Sequence, residues 1–70
     1  MKRTPQVKVL RRALGLTQEQ FSERYRIPLG TLRDWEQRAR HLDSTAKAYL
    51  RVIEKAPEAV MEALEASYSR

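Results

Sequence analysis

The chain has 70 residues, of which 33% are charged and 41% hydrophobic, and it carries a net charge of +5 with a pI of about 10.1. This length allows one small domain, and the absence of cysteine excludes disulfides, thiolate metal ligands and a cysteine nucleophile. No stretch approaches the ~18 apolar residues of a membrane span and no signal peptide is recognisable, so we expect a cytoplasmic protein without membrane contact.

The positive charge is concentrated in the first part of the chain. Residues 1–40 contain 10 Lys and Arg against 4 Asp and Glu, which gives +6, whereas residues 41–70 contain 4 against 5, which gives −1. Solubilising charge would be spread more evenly. The difference indicates one domain, over residues 1–70. Its basic half carries the function, and its near-neutral half serves packing or pairing. The excess charge favours an acidic partner such as nucleic acid or an anionic protein surface.

The sequence predicts an all-α fold, because apolar residues recur at helical spacing and few glycines and prolines interrupt them. Gly15 ends the first helix, and a capping box between Thr17 and Gln20 begins the second. Pro28 and Pro57 suit the first turns of the third and fifth helices, and Asp43 or Ser44 can cap the fourth. The five predicted helices cover about residues 5–14, 17–25, 28–37, 44–55 and 57–67.

The third predicted helix has one apolar and one polar side. Stepping 100° per residue places Leu32 and Trp35 together. The opposite, open side holds Gly30, Arg33, Asp34 and Gln37. Two short helices joined by a tight turn, the second of them exposing a polar face near arginines, meet the requirements of a helix-turn-helix unit. In that unit residues 28–37 form the recognition helix, which enters the major groove of DNA.

A local motif supports this interpretation. Residues 15–21 read GLTQEQF, and Ile27, Thr31-Leu32 and Trp35-Glu36 follow at fixed intervals. Through this pattern, over about residues 7–54, the chain resembles the phage repressor and Cro family, also called the XRE family. The resemblance implies a five-helix, lambda-repressor-like helix-turn-helix domain. It further implies a transcriptional repressor that binds double-stranded DNA at a palindromic operator, usually as a homodimer.

A narrower resemblance concerns residues 28–37, 49–53 and 57–60, which are similar to HigA-type antitoxins. It implies a second partner, a RelE/HigB-like toxin protein, and repression of the protein's own operon. Two alternatives stay open at this point. One is a stand-alone phage or anti-CRISPR-associated regulator, and the other is a module that mainly binds a toxin.

The XRE resemblance also implies roles for individual residues. The expected base contacts are Leu29, Gly30 and Asp34, with Thr31 and Arg33 interleaved. The expected contacts to the DNA backbone are Gln18, Arg26, Gln37, Arg38 and Arg40. Arg11 and Glu36 match a family ion pair that ties helix one to helix three. Arg33 is the first choice for a specific base contact, most naturally a guanine through O6 and N7.

The chain departs from the family pattern at three positions. Arg26 and Arg38 stand where glycine is usual, and Leu42 stands where proline is usual. Positive φ is common at position 26, so a side chain there carries a modest conformational cost. The two arginines add positive charge near the expected phosphates.

We expect neither an enzyme nor a metal or cofactor site. His41 is the only histidine and there is no cysteine, so a metal site or a histidine-based triad lacks partners. The expected homodimer interface is on the fifth helix, whose apolar surface we take to exceed what one small core needs. Its residues are Val60, Met61, Leu64 and Tyr68.

Overall fold

A computed structural model of the chain describes residues 6–38 and 42–68, with only the backbone described at positions 67 and 68. Every regular element within these ranges is an α-helix, which confirms the predicted all-α class. The helices are α1 (Gln6–Ala13), α2 (Gln18–Tyr25), α3 (Leu29–Gln37), α4 (Ser44–Lys55) and α5 (Pro57–Tyr68). Each bound lies within one residue of the predicted one. In the described ranges no helix combines the length and the apolarity needed to cross a membrane.

The chain leaves α1 through a left-handed residue. Gly15 has φ +71°, and the Leu16 N–H donates back to the Arg11 carbonyl at 3.2 Å, a bond typical of a helix ending in a Schellman motif. A Cβ added at Gly15 would meet nothing within 4 Å. Glycine is therefore favoured there by its conformation and not by lack of space.

Side-chain caps start the next helices at the positions expected from the sequence. The Thr17 hydroxyl accepts from the Gln20 N–H at 3.1 Å, and Gln20 Oε1 accepts from the Thr17 N–H at 2.9 Å. This is the predicted capping box of α2. Asp43 accepts from the Ala46 N–H at 2.8 Å and caps α4 in the same way.

The turn between α2 and α3 is closed by hydrogen bonds around Arg26. This residue has φ 59° and ψ 41°, in the left-handed region, although it carries a side chain. The Ile27 N–H donates to the Ser22 carbonyl at 3.0 Å, and the Ser22 hydroxyl donates to the Ile27 carbonyl. The Tyr49 hydroxyl, from α4, donates to the Tyr25 carbonyl. These bonds hold the turn against the cost of a left-handed arginine.

One cluster of buried side chains joins the helices. Its members are Val7, Phe21, Tyr25, Ile27, Leu32 and Ile53. The Phe21 and Tyr25 rings are tilted by 54° with centroids 5.0 Å apart, an arrangement that aromatic pairs favour. Because the cluster draws on α1, α2, α3 and α4, it determines how α3 is presented at the surface.

Helix α5 packs part of its apolar side against the chain's own core. Val60, Met61 and Leu64 are partly buried and pack against the chain's own core cluster, and the Tyr25 hydroxyl donates to the Pro57 carbonyl at 3.3 Å. These three side chains therefore divide their apolar surface between the chain's own core and solvent, and the pairing of α5 with a second copy stays a prediction. A helical wheel shows an apolar side but not what covers it. The Tyr68 side chain lies outside the described part of the chain.

Candidate nucleic-acid interface

Helix α3 is packed on one side and open on the other. Leu32 is fully buried, and Trp35 is partly buried and packs against the core cluster. On the opposite side Gly30, Arg33 and Gln37 are exposed, and Asp34 is half-buried. The four residues predicted for the open side therefore lie on the face that solvent reaches.

The ends of α3 are formed mainly by backbone groups. The Pro28 carbonyl accepts from the Leu32 N–H at 2.9 Å, and the Asp34 carbonyl accepts from the Arg38 N–H at 2.6 Å. Arg38 has φ −136°, a value open to residues with a side chain, so the glycine usual in the family is not needed there. Arg38 is exposed at the carboxyl end of the open face.

Leu29 and Thr31 lie at the margins of this face and are both partly buried. Thr31 and Trp35 line a groove of about 330 Å³ between α3 and the start of α4, together with Tyr49. Thr31 is thus placed towards α4, at the flank of the exposed surface. Arg26 is exposed in the preceding turn, whereas the predicted contact Arg40 lies outside the described residues.

A nearly buried ion pair connects α3 to α1. Arg11 Nε donates to Glu36 Oε2 at 2.7 Å and Arg11 Nη2 donates to Glu36 Oε1 at 3.0 Å, a two-point geometry. The two side chains are only 12% and 4% exposed. Arg11 Nη1 also donates to the Leu16 carbonyl at 2.9 Å. The guanidinium therefore holds α3 and the loop before α2 in one position relative to α1.

These contacts shift the pKa values of Glu36 and Arg11. Burial raises the pKa of Glu36, but hydrogen bonds from Arg11 and Gln18 and the nearby Arg11 charge outweigh it, so that the pKa is lowered overall. The hydrogen bond to Glu36 raises the pKa of Arg11. Both groups are charged at neutral pH.

Gln18 extends this network to the exposed face of α3. Its Nε2 donates to Glu36 Oε1 at 3.1 Å, and its Oε1 accepts from Arg33 Nε at 3.4 Å. Arg33 Nη2 also lies 3.6 Å from Glu19 Oε2. Sequence reasoning placed Gln18 near a phosphate and missed Glu19, because no spacing rule connects residues that meet only when α2 packs on α3.

The described residues show neither a metal-binding cluster nor an unpartnered buried polar side-chain atom. Among them, no group of three or more His, Cys, Asp or Glu side chains is placed to hold a metal ion. Every buried side-chain nitrogen and oxygen in the same ranges has a hydrogen-bond partner. The polar groups near α3 therefore orient one another or face solvent.

Two short helices across a tight turn, with the second one clamped by the core and bare on its outer face, define a helix-turn-helix protein. A solved structure described as an HTH XRE-family like protein from Agrobacterium tumefaciens is similar to the chain. The two are 58% identical, the match covers 86% of this chain and 97% of that one, and the TM-score is 0.81. The chain therefore belongs to the XRE family of helix-turn-helix proteins, a class of DNA-binding regulators. No protein-family model and no curated protein matches the chain.

Proposed function

We propose that the protein is a cytoplasmic, sequence-specific transcriptional repressor that inserts α3 into the major groove of its operator. One observation carries the proposal: α3 is fixed from behind through Leu32 and the Arg11–Glu36 pair, and its outer face is exposed beside the start of α2. A helix held in this way presents side chains to base edges without rearrangement of the fold.

In the proposal, few side chains read the bases. Arg33 is the principal reader, since its guanidinium is half-exposed and can bond guanine O6 and N7 together. Asp34 accepts from a cytosine N4 or steers Arg33. Leu29 and Thr31 supply apolar contact, for example to a thymine methyl, and Gly30 brings its bare backbone close to the groove floor.

Contacts to the DNA backbone supply most of the affinity. The proposed set is Gln18, Arg26, Gln37, Arg38 and Arg40. Support comes from the exposure of Arg26, Gln37 and Arg38 around α3 and from the position of Gln18 at the N-terminus of α2, where helix dipole and N–H groups favour a phosphate. If about six cations contact phosphates across a dimer, counterion release gives a log–log salt slope of about −5.

The proposed repressor is a symmetric homodimer that pairs through α5. The part of Val60, Met61 and Leu64 that the core leaves uncovered, together with Tyr68, forms the proposed interface. Two-fold symmetry then places the recognition helices about 34 Å apart, one turn of DNA, and requires a palindromic operator. Because α5 covers the core, point substitutions at its surface test this interface better than removal of the helix.

The proposal is tested by selecting a preferred duplex from a randomised library and by measuring affinity for it and for random-sequence DNA over a salt series. Arg33→Ala is expected to lose about 1–3 kcal/mol on the selected duplex and to relax preference at one base pair. Arg51→Ala is the matched control, since Arg51 is an exposed arginine on α4. A salt slope near zero, or equal losses on both duplexes for Arg33→Ala, contradicts the proposal.

The antitoxin role is a finer part of the same proposal, and it rests on the HigA resemblance. Within the similar segment 49–53, Ile53 is a core residue and Tyr49 donates to the turn before α3, so folding accounts for these two positions of the resemblance. Co-expression with the adjacent gene tests the role. A RelE/HigB-like toxin that co-purifies supports it, whereas the absence of such a partner leaves the stand-alone regulator.

A further inference from the structure

Two side chains in the first turn of α2 hold the Arg33 guanidinium. Its Nε donates to Gln18 Oε1 at 3.4 Å, and its Nη2 lies 3.6 Å from Glu19 Oε2. The Arg33 side chain is nevertheless 51% exposed and that of Glu19 is 66% exposed. A guanidinium has five N–H groups, so Arg33 retains donors for DNA while it is held.

The buried Glu36 carboxylate determines which way the Gln18 amide is turned. The Glu36 carboxylate can only accept hydrogen bonds, so Gln18 must turn its NH₂ group towards Glu36 Oε1, which it contacts at 3.1 Å. The amide oxygen then faces Arg33. Glu36 is itself held by Arg11. The buried ion pair therefore fixes the Gln18 amide, and the amide oxygen in turn positions the exposed Arg33.

We infer that Glu19 is a specificity-determining residue that directs Arg33 towards the uncharged edge of a base and away from phosphate. The inference rests on the proposed function, because it assigns Arg33 to base reading. A phosphate that approaches the guanidinium also approaches the Glu19 carboxylate and is repelled. A guanine edge offers two acceptors without net charge and meets no such repulsion. The helix dipole of α2 stabilises a carboxylate in its first turn.

The experiment compares two neutralising substitutions on α2. Glu19→Gln keeps the shape of the side chain and removes its charge. Glu23→Gln removes the same charge from another exposed position of α2, one turn further along. Wild type and both variants are titrated with a duplex selected by the wild-type protein and with a random-sequence duplex. Thermal melting establishes that each variant is folded.

Glu19→Gln is expected to bind random DNA about three-fold more tightly, within the at most about five-fold that an exposed ion pair contributes. Its affinity for the selected duplex changes little, so the selectivity ratio falls about three-fold. Its salt slope on random DNA steepens by about 0.9, the increment for one further phosphate contact. Glu23→Gln is expected to raise both affinities equally and to keep the wild-type ratio.

The inference is overturned if Glu19→Gln keeps the selectivity of wild type, or if Glu23→Gln lowers it equally. It is also overturned if Glu19→Gln still lowers selectivity in an Arg33→Ala background, since Glu19 would then act on something else. These outcomes differ from a failure of the proposed function, in which the wild-type protein itself does not distinguish the selected duplex from random DNA.

Discussion

Replacing Glu36 by alanine tests whether the Arg11–Glu36 pair holds the domain together. The substitution leaves the Arg11 guanidinium, which is only 12% exposed, without its carboxylate. Breaking a buried pair in this way costs about 3–5 kcal/mol, whereas a domain of this size has only about 4–10 kcal/mol of stability in total. With a urea m-value of about 1–1.5 kcal/mol/M, the unfolding midpoint should fall by about 2–5 M.

Urea titration followed by far-UV circular dichroism and by fluorescence of Trp35, the single tryptophan, measures this shift. Glu54→Ala is the control, because Glu54 is exposed on α4 and its loss should cost no more than about 0.5 kcal/mol. The double variant Arg11→Met/Glu36→Met removes both charges, and we expect it to be more stable than Glu36→Ala. The reasoning is refuted if the unfolding midpoint of Glu36→Ala equals that of the wild type. It is also refuted if the double variant loses as much stability as Arg11→Met and Glu36→Met lose separately when their losses are added.

Three further predictions concern single groups. Arg26→Gly should raise stability by up to about 1 kcal/mol, because glycine adopts φ 59° without the side-chain penalty; a lower melting temperature would contradict this. Tyr49→Phe removes the hydroxyl bonded to the Tyr25 carbonyl and should cost about 1 kcal/mol in urea unfolding, so a loss below about 0.3 kcal/mol would count against that bond. The lowered pKa of Glu36 gives stability that is complete above about pH 4.5, the ordinary pKa of the group, and is lost as the pH falls through the lower pKa of the folded state. Glu36→Gln should reduce the loss of unfolding free energy at acid pH. If the variant loses as much stability as the wild type when the pH is lowered, Glu36 is not the group responsible.

Helix bounds were predictable because local signals mark them. Thr17 with Gln20, Asp43 and Pro57 act within one turn of their own position, so their effect depends little on the rest of the fold. Gly15 likewise ends its helix through its own backbone preference. The family assignment, which the similar structure confirms, followed from a motif that combines such signals at fixed intervals.

Contacts that depend on the angle between helices were not predictable in the same way. The approach of Glu19 and Gln18 to Arg33 requires α2 to lie on α3 at one orientation, which no local pattern encodes. Apolar periodicity likewise could not show whether Val60 and Leu64 cover their own core or a partner. Position 38 illustrates the limit of a family pattern, because Arg38 ends α3 with negative φ and has no need of glycine.

Gly30 leaves room for a side chain on the outer face of α3. A Cβ at this exposed position, the second residue of α3, meets no neighbour within 4 Å, and glycine has a lower helix propensity than every other residue except proline. The fold would therefore tolerate Gly30→Gln, and in the proposed complex this change would replace the close backbone approach at position 30 by an amide able to pair with adenine N6 and N7. In the proposed repressor, the base preference at this position could thus change without a loss of fold stability.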